Sequence, residues 1–373
     1  GNRNSLMGIL KSIALTFFVL TVSLLVFLAY HMHSNAPVTT EEILRDDEEE
    51  QAQRAADNFV NVIKETTTTY AARGAHAKGH ACVKAYFKVS DSITQEFRYG
   101  VLQTPGKVFK SWIRFSNGGS NLADSHDAQN DSRGMALKLI NVEEDSNNTS
   151  QNKIQTQDFL MHNSPVFFSG NVDDYNQLVE SDNKILSFFS SLNPFKWRLR
   201  ELRHVFDTLS PPPYSPLWDD YFSNTAYKLG PNNIKFSSQS CTAAPDVKNP
   251  DESDADFLRL TMAKELVSNE ACFNFKVQLQ DSKKYMPIEN PSIEWKQSDS
   301  PYITVATIKV PAQSFDNDEQ RQFCENLSFT PWNALEAHRP IGELNRIRKL
   351  VYAASSPYRH ARNKTQVPET LDW

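Results

Sequence analysis

Arg348, Tyr352 and Arg359 lie at offsets 0, +4 and +11 in the stretch NRIRKLVYAASSPYRHARN, residues 345–363. On an α-helix each residue advances about 100°, so the three fall within roughly 40° of one another and point the same way. A phenol near its ordinary pKa of about 10 is a poor metal ligand, but an arginine one turn away favours the phenolate, which binds ferric iron. Tyrosine is among the axial ligands that haem iron accepts. Pro357 lacks an N–H and clashes with the preceding turn, so an interruption is expected between Tyr352 and Arg359. The plainer reading of the same stretch is an amphipathic helix with a half-buried tyrosine.

Other stretches place polar groups on rigid frames. After Gly74 and Gly79, apolar residues alternate from Ala81 through Val83, Ala85 and Phe87 to Val89, which predicts a strand. His76 stands in the loop at its entrance, a polar group aimed from a rigid edge; taken alone it reads as an ordinary surface or core histidine. In VFKSWIRFSN a second alternation puts Trp112, Arg114 and Ser116 on one face. Arginine there is costly to bury unless it meets an anion. DSRGMALKLI predicts a third strand, entered through Gly134, and QDFLMHNSPVFFSG (157–170) a fourth, ending in the turn His162-Asn163-Ser164-Pro165.

The remaining elements must carry these frames. Residues 37–69 read as an acidic linker and a helix, with Thr39 and Glu42 fitting a capping box and Ala52, Ala56, Phe59 and Ile63 at helical spacing. Residues 142–157 form a polar excursion, 171–209 turn helical, and the Pro-rich segment that follows predicts ordered coil. Strand-like runs return at 254–263, 272–280 and 300–313, and Asp318–Leu327 reads as a helix. Strands flanked by helices without regular βαβ alternation predict an α+β domain with a largely antiparallel sheet or barrel.

Twenty-three Phe, twelve Tyr and six Trp suit a large core or a pocket for a flat apolar ligand. A net charge of −6 with no basic block argues against nucleic acid as partner. Cys82, Cys241, Cys272 and Cys324 are widely spaced without a CxxC, which disfavours a zinc knuckle and leaves any disulfide pairing open. Ile13–Tyr30 is an uncharged run of 18 residues, about 27 Å as a helix, which predicts a transmembrane segment within residues 1–36. A cleaved signal has a shorter apolar region, and Pro37 would make a poor scissile bond, so a retained anchor is expected. Arg3 and Lys11 precede the run and no Lys or Arg follows until Arg45, which predicts a large domain on the extracytoplasmic side, in a periplasm or intermembrane space. His31 and His33 read as an interfacial flank of this span.

The combination RGAHAKGHA, RFSNG, DSRGMALKL, QDFLMHNSPVFF and RIRKLVYAASSPYR, in this order and spacing over residues 70–363, resembles the catalase superfamily. The similarity is nearest to its short branch of catalase-related peroxidases. The resemblance implies a haem-binding antiparallel β-barrel with surrounding helices over 70–373, preceded by one transmembrane helix. It further implies b-type haem, His76 as distal acid–base residue, Ser116 as its orienting hydroxyl, and Tyr352 as axial iron ligand with Arg348 as its partner. Arg73, Arg114 and Arg359 would face the haem propionates, and Phe167 would wall the distal side. The family's distal asparagine position is held by His162, with Asn163 one place later as the candidate for that role. Tyr352 is followed by Ala353-Ala354-Ser355 where large catalases have Pro-Asp-Thr, and their C-terminal helical and nicotinamide-cofactor region has no counterpart before Trp373.

The expected activity is a haem peroxidase reducing hydrogen peroxide or organic and lipid hydroperoxides with an unidentified electron donor, and with weak catalase activity. The alternatives are a catalytically silent haem subunit of a membrane protein complex, or an enzyme rearranging fatty-acid hydroperoxides. A homo-oligomer is a further expectation. No GxSxG or GxxxxGK occurs, so hydrolase and kinase readings find no support.

Overall fold

In β1 (Gly79–Val89) the predicted alternation is present: Ala81, Val83, Ala85, Phe87 and Val89 are buried in one cluster, while Lys84, Tyr86 and Lys88 point the other way. The computed structural model of the chain describes residues 2–122, 125–142 and 156–373. Most of the polar excursion read at 142–157 lies outside the described residues. β1 pairs with β2 (Val108–Asn117), which pairs with β3 (Arg133–Leu139), which pairs with β4 (Gln157–His162). The short β5 (Tyr221–Phe222) and β6 (Tyr227–Leu229) follow, then β7 (Asn232–Ser240), β8 (Ala271–Leu279) and β9 (Ile303–Val310). Every pairing is antiparallel. The order β5-β4-β3-β2-β1-β9-β8-β7 is closed by a β5–β7 contact into an eight-stranded barrel, with β6 added beside β7.

Aromatic side chains fill the barrel. Phe87, Phe159, Phe236 and Phe275 form a chain of ring contacts between 4.9 and 6.3 Å, all four rings buried. The barrel interior is therefore a packed core, and the space for a ligand lies outside it.

Helices cover that outer side. α2 (Glu48–Thr66) presents Ala52, Ala55 and Ala56 to Ile347 and Val351 of the last helix, Glu343–Asn363. Small side chains let the two axes approach closely. The proposed capping box does not form: the helix starts at Glu48, and Thr39 Oγ1 donates instead to the Glu41 carbonyl. Glu42 and Glu48, with Glu289, clamp Arg346, Glu48 in a bidentate pair at 2.6 and 2.7 Å. The acidic run thus docks residues 37–69 onto the barrel domain.

The region 171–209 is broken into α3 (Val172–Glu180), two 3₁₀ turns and α4 (Leu199–Thr208). The run at 254–263 was expected to be a strand and is α5 (Phe257–Leu266). Its buried residues Phe257, Leu258, Thr261, Met262 and Leu266 follow helical spacing, which a short Phe-Leu-Arg-Leu alternation disguises. α6 (Asp318–Asn326) precedes the final helix, α7 (Glu343–Asn363). Disulfides join Cys82 to Cys324 and Cys241 to Cys272, the first tying α6 to β1. At the other end of the chain α1 (Asn2–Met32) projects from the domain, and from Ile9 to Met32 it is long and apolar enough to cross a membrane.

Candidate active site

Pairing of three strands lines up one row of residues. Ser116 of β2 pairs with Gly134 of β3, which pairs with His162 of β4. Glycine in the middle leaves a gap, and the His76 ring fills it: a Cβ on Gly134 would stand 2.6 Å from His76 Nδ1. Nδ1 lies 3.0 Å from Ser116 Oγ, and the His162 ring meets the His76 ring edge-on at 4.8 Å. His76 has a φ of 55°, uncommon for a side chain with a Cβ. Its N–H donates to Gly118 O at 3.0 Å, and its carbonyl accepts from the Arg114 guanidinium at 2.9 Å. These bonds hold a backbone conformation that costs free energy, as is common where a side chain must be aimed. Burial drives the His76 imidazole well below its ordinary pKa, and His162 and Arg114 add to the fall. His162 is pushed down to about 4 by burial, with Arg348 adding. Both rings are neutral at neutral pH.

On α7 the expected pair forms: Arg348 Nη2 donates to Tyr352 Oη at 3.3 Å. The guanidinium is fixed by Asn345 Oδ1 at 3.1 Å and reaches the Tyr227 hydroxyl at 3.5 Å. Burial opposes the charge on Arg348, yet Tyr352 and Tyr227 raise its pKa above the ordinary arginine value. Pro357 does not interrupt the helix, which runs on to Asn363 and delivers a buried Arg359 to the same cavity. Proline removes one hydrogen bond, but α7 is held from outside by α2 and the Arg346 clamp.

Glu325, beside the Cys324 disulfide, gathers the three remaining arginines. Arg73 pairs with its carboxylate, Arg114 donates to it at 3.2 Å, and Arg359 donates to its carbonyl at 3.3 Å. Burial pushes the Glu325 carboxyl up, but Arg73, Arg114 and Arg359 together take it below the usual value. Arg114 and Arg359 are each lowered to about 10, by burial first and by Arg73 second. Three cations face one carboxylate, and the buried Arg114 Nε has no hydrogen-bond partner among the described residues. The cluster has surplus positive charge for a further anion.

His76, Ser116, Arg73, Arg114, Arg348, Tyr352 and Arg359 all line one cavity of about 800 Å³, part of it open to solvent. Leu160, Phe329 and Phe59 of α2 supply apolar walls. Two expected residues are placed elsewhere. Phe167 is not in the lining and meets the Phe168 ring at 4.2 Å in a tilted contact, near Tyr175. Asn163 is turned away: its side chain accepts from Arg133 N at 2.8 Å and donates to Asp219 and Ser210, while His162 faces His76. Neighbours on a strand point to opposite faces, so only one of the two can enter. Phe59, Gly134, His162 and Glu325 were not among the sequence candidates. Of these only Gly134 and His162 left a signal, one a glycine inside an apolar strand, the other a histidine at a strand end.

Residues 60–185 match the catalase family model. Three solved structures share the architecture over most of the chain. A fungal catalase aligns with a TM-score of 0.63 at 17% identity, covering 90% of this chain and 68% of its own. Catalase A from Saccharomyces cerevisiae gives 0.62 at 18%, covering 88% and 70%, and a bacterial catalase 0.59 at 16%, covering 88% and 64%. The fold is the catalase fold. The catalase of Ascaris suum is 36% identical over 96 residues, which span 26% of this chain and 15% of that protein. The family match is confined to about a third of the chain, and the aligned stretch is a small part of the Ascaris suum protein.

Proposed function

We propose that the chain is a haem-dependent peroxidase of catalase type, reducing hydrogen peroxide or organic and lipid hydroperoxides at the expense of a separate electron donor. The carrying observation is that the His76–Ser116 pair and the Arg348–Tyr352 pair, from opposite ends of the sequence, line one cavity. The residues fit a b-type haem. Phe59, Leu160 and Phe329 suit a flat apolar ring, and the surplus of two positive charges with the unsatisfied Arg114 Nε suits two carboxylates. Tyr352 would ligate the iron and Arg348 would hold its oxygen, while Arg73, Arg114 and Arg359 would take the propionates. When bound, haem supplies the iron at which a peroxide O–O bond is cleaved and the oxidising equivalents passed to the donor.

His76 does the proton work. Ser116 holds Nδ1, which leaves Nε2 to take the proton of the peroxide and return it to the departing oxygen, released as water or an alcohol. The depressed pKa keeps the ring ready as a base. Asn163 is committed to Asp219 and Ser210, which favours donor oxidation over rapid peroxide disproportionation, so catalase activity is expected to be weak. The length of α1 and the Arg3/Lys11 asymmetry support a single span holding the domain on the extracytoplasmic side.

The test is an optical spectrum of purified protein, followed by donor oxidation and oxygen evolution from hydrogen peroxide on the same sample. A haem Soret band with donor oxidation exceeding oxygen evolution is expected. Absence of the band after growth with haem supplied would sink the haem assignment. Oxygen evolution at rates typical of large catalases would sink the peroxidase assignment.

A further inference from the structure

The surface around α4 carries several large exposed apolar side chains among exposed Lys184, Lys196, Arg203 and Asp207. Leu192 is fully exposed, and Leu186, Phe195 and Phe206 are each more than half exposed. Single exposed apolar residues are ordinary, but these fall within 21 consecutive residues of turns and one helix. This region meets the end of α1. Phe195 touches Phe27 at 5.6 Å and Tyr30 at 5.4 Å, edge to face, and Trp197 touches Phe27 at 6.4 Å. Arg200 Nη1 donates to the His33 carbonyl at 3.5 Å. α4 thus lies beside the point where α1 leaves the domain.

Depth follows from helix geometry. Phe27 is five residues before Met32, the last residue of the apolar span, so it sits about 7 Å below the end of that span. A side chain packed on Phe27 shares that depth, and surface helices bury their apolar faces by about 5–10 Å. Tyr30 and Trp197 have the amphipathic rings that favour the headgroup level, and exposed Lys196 sets a cation beside Phe195.

We propose that Leu186, Leu192, Phe195 and Phe206 form a second membrane contact, laid into the lipid interface beside α1, so that the domain is held against the bilayer in one orientation. The proposal rests on α1 being a membrane span. It assigns the apolar face to lipid and leaves the cavity entrance fixed relative to the membrane plane.

All four cysteines are in disulfides, so one added cysteine gives a single labelling site in the full chain. Leu192→Cys, Phe206→Cys, Leu20→Cys and Val247→Cys, each with a nitroxide, are reconstituted in vesicles of phosphatidylcholine and phosphatidylserine. Collision with oxygen is compared with collision with a water-soluble nickel chelate. Labels at 20, 192 and 206 are expected to favour oxygen several-fold over the label at 247, where the exposed Val247 reports water. If 192 and 206 behave like 247 while 20 stays in lipid, the interfacial contact is overturned and the span survives. If the label at 20 is itself in water, the span fails and the contact falls with it.

Discussion

The two faces of β2 differ in what they tolerate. Inward, Phe109, Ile113 and Phe115 join a large apolar cluster in which each residue has many interchangeable neighbours. Outward, Arg114 and Ser116 each meet particular atoms: a carboxylate oxygen, a histidine nitrogen, a carbonyl. Burial is equally complete on both sides, with Phe115 at 0% and Arg114 and Ser116 at 4%. What separates them is directionality. Dispersion and apolar burial depend on volume, whereas the outer face depends on the position of single polar groups.

The sharpest way to break the comparison is on α7, which closes the outer face. Tyr352→Phe removes one oxygen and leaves the ring, so the fold should persist while the Soret band is lost or shifted and donor oxidation falls below detection. An unchanged spectrum would move the iron ligand elsewhere. Next comes His76→Ala, expected to keep haem and to lose about 10²–10⁴-fold in donor oxidation, the usual range for a general acid–base residue. A loss under tenfold would show that proton transfer does not pass through this ring.

Adjacent positions on β2 separate the two faces directly. Phe115→Ala should cost about 3–5 kcal/mol of unfolding free energy through the cavity it leaves, with donor oxidation per folded molecule little changed. Ser116→Ala should cost about 1 kcal/mol or less in stability and slow donor oxidation by roughly three- to tenfold through a less well held His76. Chemical denaturation and steady-state rates on the same two variants decide the matter. If Phe115→Ala changed the rate of folded protein more than Ser116→Ala, the division between faces would be wrong.

The remaining prediction concerns pH, where the effect on donor oxidation is the smallest expected. Burial holds His80, His162 and His338 at about 4 and His76 well below its ordinary value. In the unfolded chain each would protonate near its reference value of about 6.5. The unfolded state therefore binds more protons in the window between about 6.5 and 4, and stability is lost as pH falls through it. Asp219, raised to about 6 by burial, works the other way in this window, and Asp158, Asp174, Asp220 and Glu343 are raised in the same direction, so the histidines' loss is partly offset. Lys235, lowered to about 7 by burial, extends the same trend above pH 7, so denaturation midpoints should fall steadily as pH drops toward 4, while donor oxidation loses no His76 function until well below 6.5. A midpoint that rises on acidification would show that these histidines are charged in the folded state.

Local periodicity in the sequence determined much of this. The alternation in β1 and β2, the common face of Arg348, Tyr352 and Arg359, and the apolar run of α1 depend on the pitch of one element and are legible without knowledge of the rest. The seven cavity-lining candidates were legible for that reason together with the motif resemblance. Other features needed partners distant in sequence. β7 carries Lys235, Ser237, Ser238 and Gln239, a polar run that becomes a barrel strand only because β5 and β8 pair with both its edges. Glu325 becomes the centre of an arginine cluster because α6 is tied to β1 and lies against α7's Arg359. The choice of His162 over Asn163 was made by the β3–β4 register, since a shift of one residue exchanges the faces of a strand. Pattern within an element belongs to the sequence; which face meets which is set by pairing and packing between segments separated by tens to hundreds of residues, where no local periodicity carries the information.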